Sequence, residues 1–307
     1  MIQMKGIEPL IKWSGSKRSQ ASAIASYIRK DYGIYHEPFC GSCAMLAFLL
    51  SNLPDRFSGF VCSDLNSDLI NSYVLTMENP AKVVKGYSER WHELNDGRSI
   101  DRKREYFESV RERLNREHDP LDFIFVMRTT TNGMPRYNRN GDFNNSFHIT
   151  RNGINPETFS EIVNRWSSLL NKYNVEFRCR SFEETHPNEN DLVYLDPPYA
   201  ATKGMYFGGF DSGSLFKWME GLPCDWMMSY DGLAGKQDLT AEVPSELYRS
   251  HVYLENGNSS FRRVIGKDRH CNIRESLYLS FDGGKETEET RNLKSTNIYN
   301  PRQVELF

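Results

Sequence analysis

The run "DLVYLDPPYA" at residues 191–200 ends an apolar, strand-like stretch on an acid, two prolines and an aromatic. Proline has no backbone N–H and a fixed φ, so Pro197 and Pro198 stop a strand from continuing in a central ladder. Proline also biases the residue before it to extended geometry, which holds both Asp196 and Pro197 extended. A strand stopped in this way presents the Asp196 carboxylate, the Pro197 carbonyl and the Tyr199 ring at the C-terminal edge of a parallel sheet, where open α/β folds bind ligands. Two acceptors beside an aromatic face suit an exocyclic amino group on a flat base. A stiff solvent turn is the plainer alternative.

The rest of the chain supplies such a sheet. "GIYHEPF" reads as a strand, "CGSC" as a turn, "AMLAFLLSN" as a helix, "GFVCSD" as a strand ending at Asp64, and "NSDLINSYVLTM" as a helix. This order is the first half of a doubly wound α/β sheet. A helix is also expected over "SQASAIASYIRKDY", with Ser19 as its N-cap. Two long charged amphipathic helices follow, "PAKVVKGYSERWHELND" and "DRKREYFESVRERLNREHD", with no strand between them. The Gly/Asn/Arg-rich stretch "RTTTNGMPRYNRNGDFNNSFHITRNG" predicts a β-hairpin or long ordered loop around "RNGD", and "NPETFSEIVNRWSSLLNKY" predicts a helix. Strands resume with "VEFRCRS", "DLVYLD", "DWMMSY" and "ESLYLSF". The expected organisation is an α/β core over 1–77 and 175–283, a mostly helical insertion over 78–174 that carries the hairpin, and a polar tail over 284–307.

No apolar run approaches a membrane span, and the N-terminus lacks a secretory signal, which predicts a cytoplasmic protein. The six cysteines include one C-x-x-C, Cys40 and Cys43, with no second pair at zinc spacing, so packed thiols and no metal are expected. The net charge of −3 does not announce a nucleic-acid partner. Basic residues nevertheless cluster, Arg128, Arg136, Arg139 and Arg151 in one stretch and Arg262, Arg263, Lys267, Arg269 and Arg274 in another. A cluster of this kind is either a solvated face or a local basic surface.

In "EPFCGSC" a strand runs into a glycine turn and then a helix, which lets backbone N–H groups approach a ligand. Asp64 ends the next strand, where a carboxylate can accept from ribose hydroxyls. No G-x-G-x-x-G is present, so an adenosine cofactor without a pyrophosphate fits better than a dinucleotide. In "IKWSGSK", Trp13 and Lys17 flank a glycine turn, an arrangement suited to a nucleoside face and a carboxylate.

The order "IKWSGSK", "EPFCGSC", "SDLNSDLIN", "TNGMPRYNRNGDFN", "YLDPPY" resembles the Dam-like family of adenine-specific DNA methyltransferases. The resemblance extends to about residue 282 and implies a Rossmann-like methyltransferase sheet, S-adenosyl-L-methionine as cofactor, and methylation of adenine N6 in double-stranded DNA by a monomer, as in restriction–modification systems. Trp13, Lys17, Phe39, Gly41, Asp64 and Asp196 match the family's cofactor-contacting positions. Asp196, Pro197, Pro198 and Tyr199 match its catalytic tetrapeptide, which receives a flipped adenine. Asn132, Met134 and Arg136 match its base-reading hairpin, with Arg128 and Arg139 expected on phosphates. Two positions depart from the pattern. Cys43 stands where the family usually has glycine, and Ser181 stands where it often has an acid. The implied chemistry is attack of the adenine amine on the sulfonium methyl, with Asp196 and the Pro197 carbonyl accepting its N–H bonds. Methylation of an RNA adenine or a protein glutamine amide needs the same two acceptors, and a non-catalytic DNA-binding protein is the reading from another class.

Overall fold

The strand "YGIYHE" buries Tyr35 on one face and His36 on the other, so both faces of the sheet it enters must be covered. In a computed structural model the described residues are 6–97, 99–130, 133, 135–150, 152–198, 210–234, 237–238, 242–255 and 273–283. Among them eight strands form one sheet: β1 Tyr32–Glu37, β2 Phe57–Asp64, β3 Val175–Cys179, β4 Leu192–Leu195, β5 Asp225–Ala234, β6 Gln237–Asp238, β7 Ser250–Glu255 and β8 Ile273–Leu279. Their order is β3-β2-β1-β4-β5-β8-β7, with β6 on β5. β1 to β5 pair in parallel, while β8 runs antiparallel to both β5 and β7. The expected doubly wound α/β sheet is present.

The helices are α1 Ala21–Ala25, α2 Ala44–Asn52, α3 Ser67–Glu78, α4 Pro80–Asn95, α5 Ile100–Glu117, α6 Pro120–Thr129, α7 Pro156–Lys172 and α8 Ser212–Glu220. Their starts are written in the sequence. Asn79-Pro80, Asp119-Pro120 and Asn155-Pro156 each place a side-chain acceptor at the cap and a proline at the first position, where its missing N–H is harmless. α2 buries every residue from Met45 to Leu50, which explains a helix with almost no polar face.

One expectation is corrected here, and one helix is new. The helix after Lys17 spans only α1, and Ser19 lies in a 3₁₀ turn at Lys17–Ser19 without capping it. That turn buries Lys17, so residues 17–19 follow the lysine's ionic partner rather than the helix axis. α6 is a separate helix that no pattern announced, because every residue from Leu121 to Thr129 is buried and no polar face gives it a period.

α4 to α7 lie between α3 and β3 in the chain, and α6 and α7 pack on α3. Asp122, fully buried in α6, accepts from Arg90 at 2.7 Å and Arg113 at 2.6 Å, which ties α4, α5 and α6 together. One hydrophobic cluster runs from Tyr35 and Phe48 beside the sheet to Phe125 and Trp166 in these helices. A second, with Val193, Leu215, Met228 and Tyr278, fills the opposite face under α8. Between α6 and α7 the chain makes an antiparallel excursion held by bridges Thr130–Phe147 and Tyr137–Phe143, the hairpin expected around "RNGD". Among the described residues no helix is long and apolar enough to cross a membrane.

Candidate active site

β1 and β4 are parallel neighbours, with Tyr35 opposite Leu192 and His36 opposite Val193. From β1 the sheet is built outward through β2 to one side, and from β4 through β5 to the other. The crevice between their C-terminal ends is therefore the switch point where such sheets hold ligands. Three segments meet there: the turn after β1, Asp196-Pro197-Pro198 after β4, and the N-terminal stretch around Trp13 and Lys17.

The turn after β1 is shaped by Gly41, at φ +44°. A Cβ there would stand 2.9 Å from Trp13 Nε1 in a backbone conformation that side chains disfavour. The Gly41 N–H donates to Asp64 Oδ2 at 3.2 Å, and Asn66 N–H donates to Oδ1 at 3.0 Å. Burial raises the Asp64 carboxyl above its usual range, opposed by backbone donors at Asn66, Gly41 and Leu65. Cys43 has φ 52°, which explains why glycine suits its position. Its side chain is fully buried, and its thiol lies in hydrogen-bonding contact with Cys40 and Cys62, so it turns into the core instead of lining the loop. Burial raises all three thiols, as inert structural cysteines require. Among the described residues no group of His, Cys, Asp or Glu could hold a metal.

Phe39 packs on Phe182 and Phe210, at centroid distances of 5.4 and 6.0 Å. Ser181 forms a capping box with Glu184, so its hydroxyl accepts from the backbone of the turn that carries Phe182. The serine is therefore engaged locally, within its own turn.

Lys17 reaches into the crevice from the other side. Its ammonium donates to Asp196 at 2.7 and 3.0 Å and to the Gly15 carbonyl at 3.1 Å. Burial raises the Asp196 carboxyl to about 6; Lys17 opposes this, and Glu275 adds to it. Beneath it Glu37 is fully enclosed and accepts from the Tyr35 hydroxyl at 2.9 Å and Leu46 N–H at 3.1 Å. Burial lifts its carboxyl to about 8 despite these bonds, with the Asp196 charge a smaller contribution. Tyr194 pairs its hydroxyl with Ser229 at 2.8 Å, fixing the β4 end that carries Asp196 to β5.

The hairpin docks on this edge. Ser14 N–H donates to the Gly133 carbonyl at 2.8 Å, and Asn66 donates its amide to the Tyr137 hydroxyl at 2.6 Å. Arg136 and Arg139 are exposed on it. Arg128 is a correction. It is buried, donates to the Pro9 and Leu10 carbonyls, and lies over the Phe159 ring, so it holds the N-terminal segment to the helices and presents nothing to a phosphate. Asn132, Met134, Tyr199, Arg151, Arg262, Arg263, Lys267 and Arg269 lie outside the described residues; Arg274 is exposed at the start of β8. The structure thus brings together Trp13, Lys17, Phe39, Gly41, Asp64, Asp196 and Pro197. It adds Glu37, Asn66, Tyr137 and Glu275, of which only Asn66, a cap two residues past Asp64, carried a sequence signal.

Comparison with known proteins identifies the family of the chain. The type II methyltransferase M.MjaIII of Methanocaldococcus jannaschii is 30% identical over 209 residues, 63% of this chain and 69% of that protein. A DNA adenine methylase of Vibrio cholerae is 28% identical over 207 residues, 64% and 67% of the two chains. Among solved structures, the rRNA methyltransferase aviRa of Streptomyces viridochromogenes overlaps 86% of this chain and 82% of its own at 12% identity and a TM-score of 0.37. The family profile described as D12 class N6 adenine-specific DNA methyltransferase matches residues 13–217, more than half of the chain. The chain therefore belongs to the D12 class of N6 adenine-specific DNA methyltransferases.

Proposed function

We propose that the protein methylates N6 of an adenine extruded from duplex DNA at a specific site, with the amine held by Asp196 and the Pro197 carbonyl. The supporting observation is the Asp196 carboxylate at the β1/β4 switch point, on the same sheet edge as the Gly41–Asp64 loop. The same reading places a monomeric enzyme in the cytoplasm of a bacterial or phage-infected cell.

The residues present fit S-adenosylmethionine. Gly41 leaves open the space that a side chain would fill against Trp13, and Asp64 offers a carboxylate at a strand end for ribose hydroxyls. Phe39 supplies an aromatic wall. When bound, this cofactor supplies an electrophilic methyl on sulfur, and the C–S bonding pair leaves with the sulfur. The chain's own residues prepare the nucleophile. Acceptors at Asp196 and Pro197 draw the amine out of conjugation with the ring and favour the pyramidal geometry that exposes its lone pair. As the N–C bond forms, positive charge builds on N6 next to Asp196, and the surplus proton passes to that carboxylate and on to water. A target atom inside the duplex is out of reach, so the base leaves the stack. Exposed Arg136 and Arg139 on the docked hairpin face the partner, one reading a base and the other holding phosphate.

The test is transfer of labelled methyl to unmethylated duplex DNA, with RNA of the same sequence alongside. Wild type should label adenine N6 in DNA. Its rate should fall as the pH drops through about 6, where Asp196 takes up a proton. Asp196→Ala should lose at least a hundredfold, roughly the loss of one transition-state hydrogen-bonding group. An Asp196→Ala enzyme at wild-type rate, or labelling of RNA alone, overturns the reading.

A further inference from the structure

We infer that Glu275, on β8, is a positioning residue for methyl transfer: it shares Lys17 with Asp196 and keeps that carboxylate available to the amine. This rests on the proposed role of Asp196. Lys17 Nζ lies 2.7 Å from Asp196 Oδ1 and 3.7 Å from Glu275 Oε2, with side-chain exposures of 5%, 20% and 17% for Lys17, Asp196 and Glu275. One ammonium thus lies between two largely enclosed carboxylates. Without Glu275, more of the Lys17 charge would fall on Asp196. With Glu275, its charge is divided, and Asp196 keeps negative potential for a substrate amine that turns cationic during reaction.

The backbone is built to bring Glu275 in. β5 and β8 pair in register up to Tyr230 and resume at Leu233, a bulge that places Asp231 and Gly232 opposite the β8 start. A Cβ on Gly232 would stand 2.0 Å from the Arg274 carbonyl oxygen and 2.9 Å from Glu275 Cα, so only glycine admits β8 this close. Bulges of this kind re-aim side chains next to active sites. The groups that act on Asp196 or feel its charge include Lys17 from the N-terminal turn, Glu37 from β1, Tyr194 from β4 and Glu275 from β8. Of these acids Glu37 is protonated at neutral pH, which leaves Glu275 to bias Lys17.

The experiment compares wild type, Glu275→Gln and Glu275→Asp. Rates of methyl transfer to unmethylated duplex DNA are measured across pH, and the Asp196 carboxyl is titrated by carbon-13 NMR in the protein without DNA. In Glu275→Gln the Asp196 titration should move to lower pH by on the order of half a unit or more. kcat should fall roughly tenfold while KM for S-adenosylmethionine changes little, and the acid limb of kcat should move down with the carboxyl. Glu275→Asp should restore part of both. An unmoved Asp196 titration in Glu275→Gln overturns the inference, as does a lower rate with an unshifted acid limb, the mark of a purely structural residue. If the titration moves but wild type transfers no methyl to DNA, the coupling stands and the functional reading fails instead.

Discussion

Asn66 spends its side chain twice: its oxygen caps α3 at Leu69 N–H, 3.1 Å away, and its amide donates to the Tyr137 hydroxyl at 2.6 Å. Two residues past the Asp64 strand end, the cap of α3 is thus also an anchor of the hairpin carrying Arg136 and Arg139. The Asp64 loop and the hairpin are therefore tied through one short segment of backbone.

Tyr137→Phe should separate the two. It keeps the ring against Phe143 and removes the hydroxyl, a loss of about 1 kcal/mol in hairpin docking. The KM for duplex DNA should rise several-fold while calorimetric affinity for S-adenosylmethionine stays within about twofold. Equal weakening of both ligands would mean that the hairpin does not move independently of the loop.

Glu37 gives the stability a pH dependence of definite sign. Its carboxyl titrates near 8 in the folded protein against an ordinary 4.5, so the folded state holds a proton that the unfolded state has lost. The stabilisation is fully present below the ordinary value and disappears as pH rises through about 8. From about pH 7 to about pH 9 the loss is on the order of 1 kcal/mol, or roughly 2–4 °C in Tm. Glu37→Gln mimics the protonated form and should remove this part of the decline. Melting curves of the two proteins at both pH values check it, and parallel declines would show that Glu37 is not the group responsible.

Asp64→Ala should weaken S-adenosylmethionine by about tenfold to a hundredfold, the loss of one charge-assisted hydrogen bond of roughly 1.5–3 kcal/mol. Because the carboxylate also accepts from Gly41 and Asn66 N–H, the melting temperature should fall as well. Calorimetric titration with the folded variant reads the first effect and scanning calorimetry the second. Unchanged affinity would take Asp64 out of the site.

The three arginines should behave differently. Arg128→Ala leaves the Pro9 and Leu10 carbonyls without their donor inside the protein, so it should cost about 1–3 kcal/mol of stability and leave the salt dependence of DNA binding alone. Arg136→Ala should relax preference at one base position, worth about 1–3 kcal/mol, and Arg139→Ala should weaken all sequences alike with a salt slope lower by roughly one. Melting curves and a panel of single-base site variants at two salt concentrations distinguish them. A uniform loss for Arg136→Ala would make it a backbone contact.

The sequence was readable where local chemistry decides geometry. The ends of β2 at Asp64 and of α2 at Asn52 fall where the apolar runs stop, and the Pro197-Pro198 pair marked the end of β4. α6 was hidden because full burial erases periodicity, and β7, "SHVYLE", because its alternation is short and largely polar. Arg128 misled because it adjoins an arginine-rich polar loop, while its partners lie more than a hundred residues away in the chain. Glu275 was invisible for the same reason: its closeness to Lys17 exists only once β8 has paired with β5. The departures at Cys43 and Ser181 were visible as departures, but where each side chain turns, into the core or onto its own turn, is decided by the fold.

The hydrophobic cluster that runs from the sheet into α4 to α7 has a consequence for exchange between relatives. Trp166 donates its indole N–H to the Glu8 carbonyl at 2.8 Å, and Phe125 and Phe159 bury into the same interior as Tyr35 and Phe48. A recombinant that took only the helices and hairpin from a cousin of different sequence preference would inherit half of an interior, with the other half evolved against different shapes. If the hairpin reads DNA as proposed, its preference should change by single replacements at exposed positions such as Arg136 and Arg139, and transplantation of the whole helical segment should yield poorly folded chimaeras.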